Sequence, residues 1–418
     1  MTSRQASNPI RLALALLLPV IAFATAAFTA CSNSLPVKGD EDFPDYNFVI
    51  GTQSIAGRYR FTDDPVLVET AKRIREMGSN TIKIMLGATD NEPDLDSWRE
   101  SMPCALASEN PIFKQVLDMD FTYYLMWVTV PGVNWTDGMS AEEKETEYKE
   151  INKLAEYLLT EYKGTGKKFY IGHWEGDWLL LGDYDNTREH IDDVRIKGMT
   201  DWYNTRQKAV EDAREKVQSG ASVYQYLEVN RVRPAMDKGY DRIINRVLPN
   251  VDVDYVSYSA WESTAEGTTN GSNYQTLKKE LTASLNDIES KMKPKPSIPG
   301  RRVFIGEYGY PLPLVNSSPK DQARRTLNTI RVGMEWGCPF ILYWEFYDNE
   351  GDDKGYWMIN SHNEKQPVYH VHEQFYAEMK AFIGKFAGKN GRAPTDEEYR
   401  AEALSVLVNL YKANGLVN

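Results

Sequence analysis

Three cysteines in 418 residues, at positions 31, 104 and 338, are too few for a disulfide framework and fall in no zinc-binding spacing. Cys104 and Cys338 are therefore expected to be buried thiols. Histidine is almost as scarce. Of five, His190, His362, His370 and His372 fall in predicted loops or the last barrel helix, which excludes a hydrolase that gathers several histidines around a metal. No metal and no cofactor is expected. Positive charge is also short: 48 Lys and Arg face 60 Asp and Glu, for a net charge of −12. Arg4 and Arg11 are the only charges in residues 1–30, so loss of that segment takes −12 to −14. Such a surface disfavours nucleic acid and anionic membranes and suits a neutral or cationic partner. The chain has no internal repeat and no low-complexity domain, and a monomer is expected.

What is present begins with an export segment. After Arg11 the run "LALALLLPVIAFATAAFTA" ends at Cys31, which reads as a signal of residues 1–30 rather than part of the fold. "FTAC" is similar to a bacterial lipobox, in which Cys31 is lipidated and becomes the new N-terminus, although Phe28 is unusual there. Cleavage near Ala27 and retention as a membrane anchor are the alternatives. The expected location is the bacterial cell envelope, with the membrane touched only through the lipid, or else the secreted fraction.

Residues 31–45 read as a linker. From residue 46 onward, β-rich apolar runs alternate with amphipathic helical stretches. The strands are "NFVIGT" at 47, "NTIKIML" at 80, "FTYYLMWV" at 121, "KFYIGHW" at 168, "SVYQYLEV" at 222, "VDYVSYSA" at 253, "RVFIGEY" at 302 and "PFILYWEF" at 339. Their starts lie 31 to 54 residues apart, with stretches such as "DPVLVETAKRIREMG" and "SPKDQARRTLNTIRVGMEWG" between them. Eight strands, each followed by room for a helix, predict a (β/α)8 TIM barrel over residues 46–388, with long loops after strands three, four and six. Residues 389–418 add one amphipathic helix.

In such a barrel the last inward residues of the strands face the substrate mouth. Alternation puts Val303, Ile305 and Glu307 on one face of the seventh strand, and Phe169, Ile171, His173 and Glu175 on one face of the fourth. Two carboxyl groups across a barrel mouth can cleave a glycosidic bond without a cofactor: one protonates the leaving oxygen, the other attacks the anomeric carbon or activates water. The glycine-rich phosphate loops of other barrels are missing, since "GEYGYPLPL" and "EFYDNEGDDKG" are acidic and aromatic. Asp177 and Glu228 are alternative acid/base candidates. Glu262 and Glu345 read as solvated or paired. Lys83 could pair with Glu307 or reach solvent.

The arrangement resembles the clan A retaining glycoside hydrolases, family 5 in particular. "IGEYGYP" is similar to their nucleophile strand, which implies Glu307 as nucleophile; "MGSNTIKIML" looks like their second strand, with Lys83 where an arginine is usual. "ILYWEF" puts Trp344 at the sugar-platform position, and Tyr258 in "VSYSAW" is similar to the tyrosine that bonds the nucleophile. The resemblance makes Glu175 the acid/base, but in "HWEGDW" Trp174 stands where the family has an asparagine. His173 could orient a carboxylate. Trp127, Trp174, Trp178, Trp261 and Trp344 fall at or just past strand ends, with Trp135 and Trp357 in the loops beyond, a distribution that suits stacking on sugar rings. The expected activity is retaining hydrolysis of a β-linked oligo- or polysaccharide. The rival is a glycan-binding lipoprotein on a degenerate barrel.

Overall fold

The computed structural model describes residues 46–89, 91–350 and 354–416. The expected signal, the linker and Cys31 lie outside them. Eight strands form the centre: β1 (Ile50–Ser54), β2 (Thr81–Leu86), β3 (Tyr123–Val128), β4 (Lys168–Gly172), β5 (Ser222–Val229), β6 (Tyr255–Ser259), β7 (Val303–Tyr308) and β8 (Ile341–Tyr343). Each pairs in parallel with the next, and β8 pairs with β1, so the sheet closes. This is the predicted (β/α)8 barrel. Among the described residues no helix is long and apolar enough to cross a membrane.

The connecting helices carry the expected local signals. Ser140 and Glu143 form a reciprocal capping box before Ala141–Glu161, and Ser318 caps Pro319–Trp336, which Gly337 ends in the left-handed region at φ 95°. After β5 the chain makes a short α-helix, Val232–Lys238, and two brief helical turns, Ile243–Val247 and Leu248–Asn250. The predicted C-terminal helix is Asp396–Ala413; its Tyr399 donates to the Phe48 carbonyl at 2.8 Å and its Arg400 to the Cys338 carbonyl at 2.9 Å, stitching it to the barrel floor. Cys338 is buried, whereas Cys104 is only half-buried.

Alternating residues split into two cores. Ile82, Ile84, Phe169, Ile171, Val303 and Ile305 pack outward under the helices. Leu125, Tyr170, Tyr226, Phe304 and Leu342 fill the barrel. The expected inward faces of β4 and β7 are thus corrected: Phe169, Ile171, Val303 and Ile305 point out. Glu307 still reaches the mouth because β7 carries an extra residue. Tyr258 pairs with Ile305, but its successor Ser259 pairs with Glu307. The bulge turns one residue of the alternation over. Gly306 occupies the tight position, where an added Cβ would lie 1.8 Å from Ser257 Oγ.

Candidate active site

At the mouth, Lys83 of β2 is wholly buried, and its three protons are all engaged. Nζ donates to Glu228 Oε2 at 3.0 Å, Glu307 Oε1 at 3.0 Å and the Gly306 carbonyl at 3.2 Å. Burial opposes its charge, but Glu228 and Glu307 outweigh that and hold the ammonium above its usual 10.5. It sits 4.5 Å from the Trp127 ring centre. Lys83 therefore lies beneath the cleft, not on its wall as a substrate contact, and Trp127 is buried with it.

Glu228, ending β5, has no oxygen to spare. Oε2 also accepts from Ser257 at 2.7 Å, and Oε1 accepts the Glu175 backbone N–H at 3.0 Å. One carboxylate thus fixes the lysine under Glu307 and the backbone of Glu175. Asp177 is likewise consumed, accepting the N–H groups of Asn230, Arg231 and Ile243. Neither alternative acid/base candidate lines the open cleft above the mouth.

Glu175 and Glu307 do. Glu175 stands at the start of a short helix, Gly176–Leu181, which follows the end of β4. Ser259 Oγ lies 2.6 Å from Glu175 Oε1 and 3.0 Å from Glu307 Oε2, and Trp261 Nε1 donates to the same Glu307 oxygen at 3.3 Å. A serine hydroxyl has one proton, so the second of these contacts needs a proton on a carboxyl. Burial, then the charge of Glu307, holds the Glu175 carboxyl well above its usual 4.5. Glu307 is raised by burial but pulled back by Lys83, to about 7. The first proton to leave the pair is therefore that of Glu307. Glu175 keeps its own and donates it to Ser259 Oγ, which donates to Glu307.

Two expected site residues lie elsewhere. His173 points out of the barrel: Nδ1 is 2.8 Å from the Trp174 carbonyl, and Nε2 is 2.6 Å from Tyr203 Oη. A carbonyl only accepts, so Nδ1 carries the proton and Nε2 accepts; burial pushes the pKa to about 3 and keeps the ring neutral. His173 holds β4 to the helix Asp193–Lys216. Tyr258 also points outward, meeting Glu262 at 3.1 Å and Ser263 at 2.7 Å. Ser259, the next residue, makes the contact expected of Tyr258. Ser257 and Ser259 were a usable signal, two hydroxyls on one face of an apolar strand. Of the weaker acids, Glu262 is half-buried and accepts from Tyr258 and the Arg233 N–H, desolvation raising it to about 8. Glu345 is not solvated; it is wholly buried, accepts the Asn349 N–H, and is held well above 4.5 by that burial.

Over the pair opens a cleft of about 320 Å³. Trp174, Trp178, Trp261, Trp344 and Tyr356 wall it, with Asn230, Arg231, Glu266 and Glu350 among the polar groups. Trp135 instead stacks on Trp202, at 5.8 Å between ring centres, and Trp357 is buried. Among the described residues no group of three or more His, Cys, Asp or Glu side chains could hold a metal ion.

No protein-family model matches the chain, and neither does any curated protein. Solved structures do. A GH5_18 protein from Streptomyces cattleya in complex with GlcNAc matches with a TM-score of 0.50 and 12% identity, covering 88% of this chain and 91% of that one. A family 5 xyloglucanase from Paenibacillus pabuli in complex with ligand gives a TM-score of 0.49 at 12% identity, over 82% and 99% of the two chains. A calcium-binding mutant of Bacteroides uniformis beta-glucuronidase 2 gives 0.46 at 12% identity; the match covers 79% of this chain and spans only 34% of that one. At these identities the likeness is one of fold. The barrel is the one that family 5 glycoside hydrolase structures share.

Proposed function

We propose that the protein is a retaining glycoside hydrolase acting on β-linked oligo- or polysaccharide. The observation that carries this is the single hydroxyl bridging two carboxyls. Legs of 2.6 Å and 3.0 Å meet at Ser259 Oγ, so the nearest carboxyl oxygens can be no farther apart than those legs laid end to end. That closeness favours the ~5–5.5 Å spacing of direct attack over the ~6.5–9.5 Å that admits a water between carboxylate and sugar.

In this reading Glu307, the first of the pair to ionise, attacks the anomeric carbon while Glu175 protonates the leaving oxygen. Glu175, now ionised, then takes a proton from the water that releases the sugar from Glu307. Ser259 and Trp261 orient Glu307, and the tryptophan walls take the C–H faces of the sugar. The GH5_18 structure with GlcNAc bound is consistent with a carbohydrate ligand for this barrel. Proton NMR of the first product from a panel of β-glycans tests the mechanism: the β anomer is expected, and net inversion rejects it.

Export and lipid attachment at Cys31 complete the proposal and rest on the sequence alone. In a bacterial host the chain is expected in the membrane fraction and Cys31→Ala outside it; equal fractionation of the two would remove the anchor.

A further inference from the structure

Beyond the cleft, Tyr184 is the most exposed large hydrophobic side chain among the described residues, 72% open to solvent. A lone exposed aromatic needs no explanation. This one is not alone. Its ring centre lies 5.4 Å from that of Trp178 and 6.5 Å from that of Trp174, both in edge contact, and those two tryptophans form a wall of the cleft. Tyr184 does not line the cleft itself, so the apolar wall runs on past the rim as a ledge.

The ledge is rigid. Arg242, buried, donates to the carbonyls of Asn186 at 3.0 Å and Arg188 at 2.9 Å. Arg188 donates in turn to the Leu181 carbonyl at 2.7 Å. A buried cation is thus used to set the shape of the solvent-facing loop that carries Tyr184. Trp178 is braced from another side by the Arg231 guanidinium, 4.2 Å from its ring centre. Holding an aromatic ring fixed and open to water has already met the ordering cost of binding.

We propose that Tyr184 is an outlying subsite that stacks a sugar ring of the substrate outside the catalytic cleft. The substrate is then a glycan chain longer than the cleft holds, lying along Trp174, Trp178 and Tyr184 and cut within its length. This rests on the glycosidase reading above, and the test separates the two.

Wild type and Tyr184→Ala are assayed on cello-, manno- and xylo-oligosaccharides of six units and on aryl glycosides of one and two units. Where the wild type is active, Tyr184→Ala is expected to raise KM for the hexasaccharide about 3- to 10-fold, as one lost ring contact does. Aryl glycoside kinetics stay unchanged, and Tyr184→Trp restores the hexasaccharide KM. Equal KM values for wild type and Tyr184→Ala on the hexasaccharide overturn the subsite, as does an equal loss on the short substrates. Should the wild type cleave nothing, affinity electrophoresis in gels of the matching polysaccharides decides. Retardation weakened by Tyr184→Ala keeps the subsite while the hydrolase falls; retardation unaltered by it, or no retardation of either protein, rejects the subsite.

Discussion

Glu307→Gln lowers kcat on any cleaved glycan by about a thousand-fold or more, while the fold survives intact. The amide keeps the shape of the carboxylate and can still accept from Lys83, but it is no nucleophile. Stability holds because Lys83 has two carboxylates at 3.0 Å and loses only one of them. What remains is one lysine against one glutamate, a matched buried pair. Urea unfolding of wild type and variant should give midpoints that nearly coincide, alongside kinetics that do not. If wild type and variant are equally inert yet both bind glycan, the protein is a binding module and the hydrolase reading is dead.

Lys83→Met reverses that pattern, with the largest expected effect on stability. Removing the cation strands Glu228 and Glu307 together inside the barrel, and breaking a buried pair from one side costs about 3–5 kcal/mol. The sign of the pH dependence follows. A carboxyl whose folded-state pKa lies above its unfolded value stabilises the fold at pH below the unfolded value. That contribution is lost as pH rises through the folded value. Lys83 lowers the pKa of Glu307, so without it that of Glu307 climbs beyond about 7. The stability deficit of Lys83→Met therefore grows from pH 5 to pH 8 in urea titrations. Adding Glu228→Gln recovers part of it, because fewer acids are left stranded. Activity moves the same way: the acid limb of kcat/KM, near pH 7 in the wild type, shifts upward in Lys83→Met. An unchanged limb would mean that Lys83 does not govern the ionisation of Glu307.

All eight strands were legible because each is a short β-rich run in a regular alternation with helices, and closure follows from their number. Side-chain direction was not. Counting by twos from the carboxylate put Val303 and Ile305 on the inside, where Phe304 belongs. Glu307 was placed at the mouth for a partly wrong reason, since counting by twos cannot register the extra residue in β7. Gly306 was the clue, a glycine inside a strand marking a bulge. His173 and Tyr258 failed as site residues because neighbours in sequence straddle the barrel wall; for Tyr258 the next residue, Ser259, carries the contact. Lys83 and Glu228 were visible as oddities at strand ends, but their pairing depends on β2 and β5 meeting across the barrel, which no local pattern encodes.

The groups at the mouth also set a charge balance. Lys83 is one cation shared between two carboxylates, Glu228 and Glu307, at 3.0 Å each, so the ion-paired cluster beneath the cleft carries one negative charge more than it balances. Such a cluster is electrically unfinished. It is completed by a single flat cation, the charge a sugar ring acquires as its glycosidic bond parts, and a neutral ring in the same place leaves the imbalance standing.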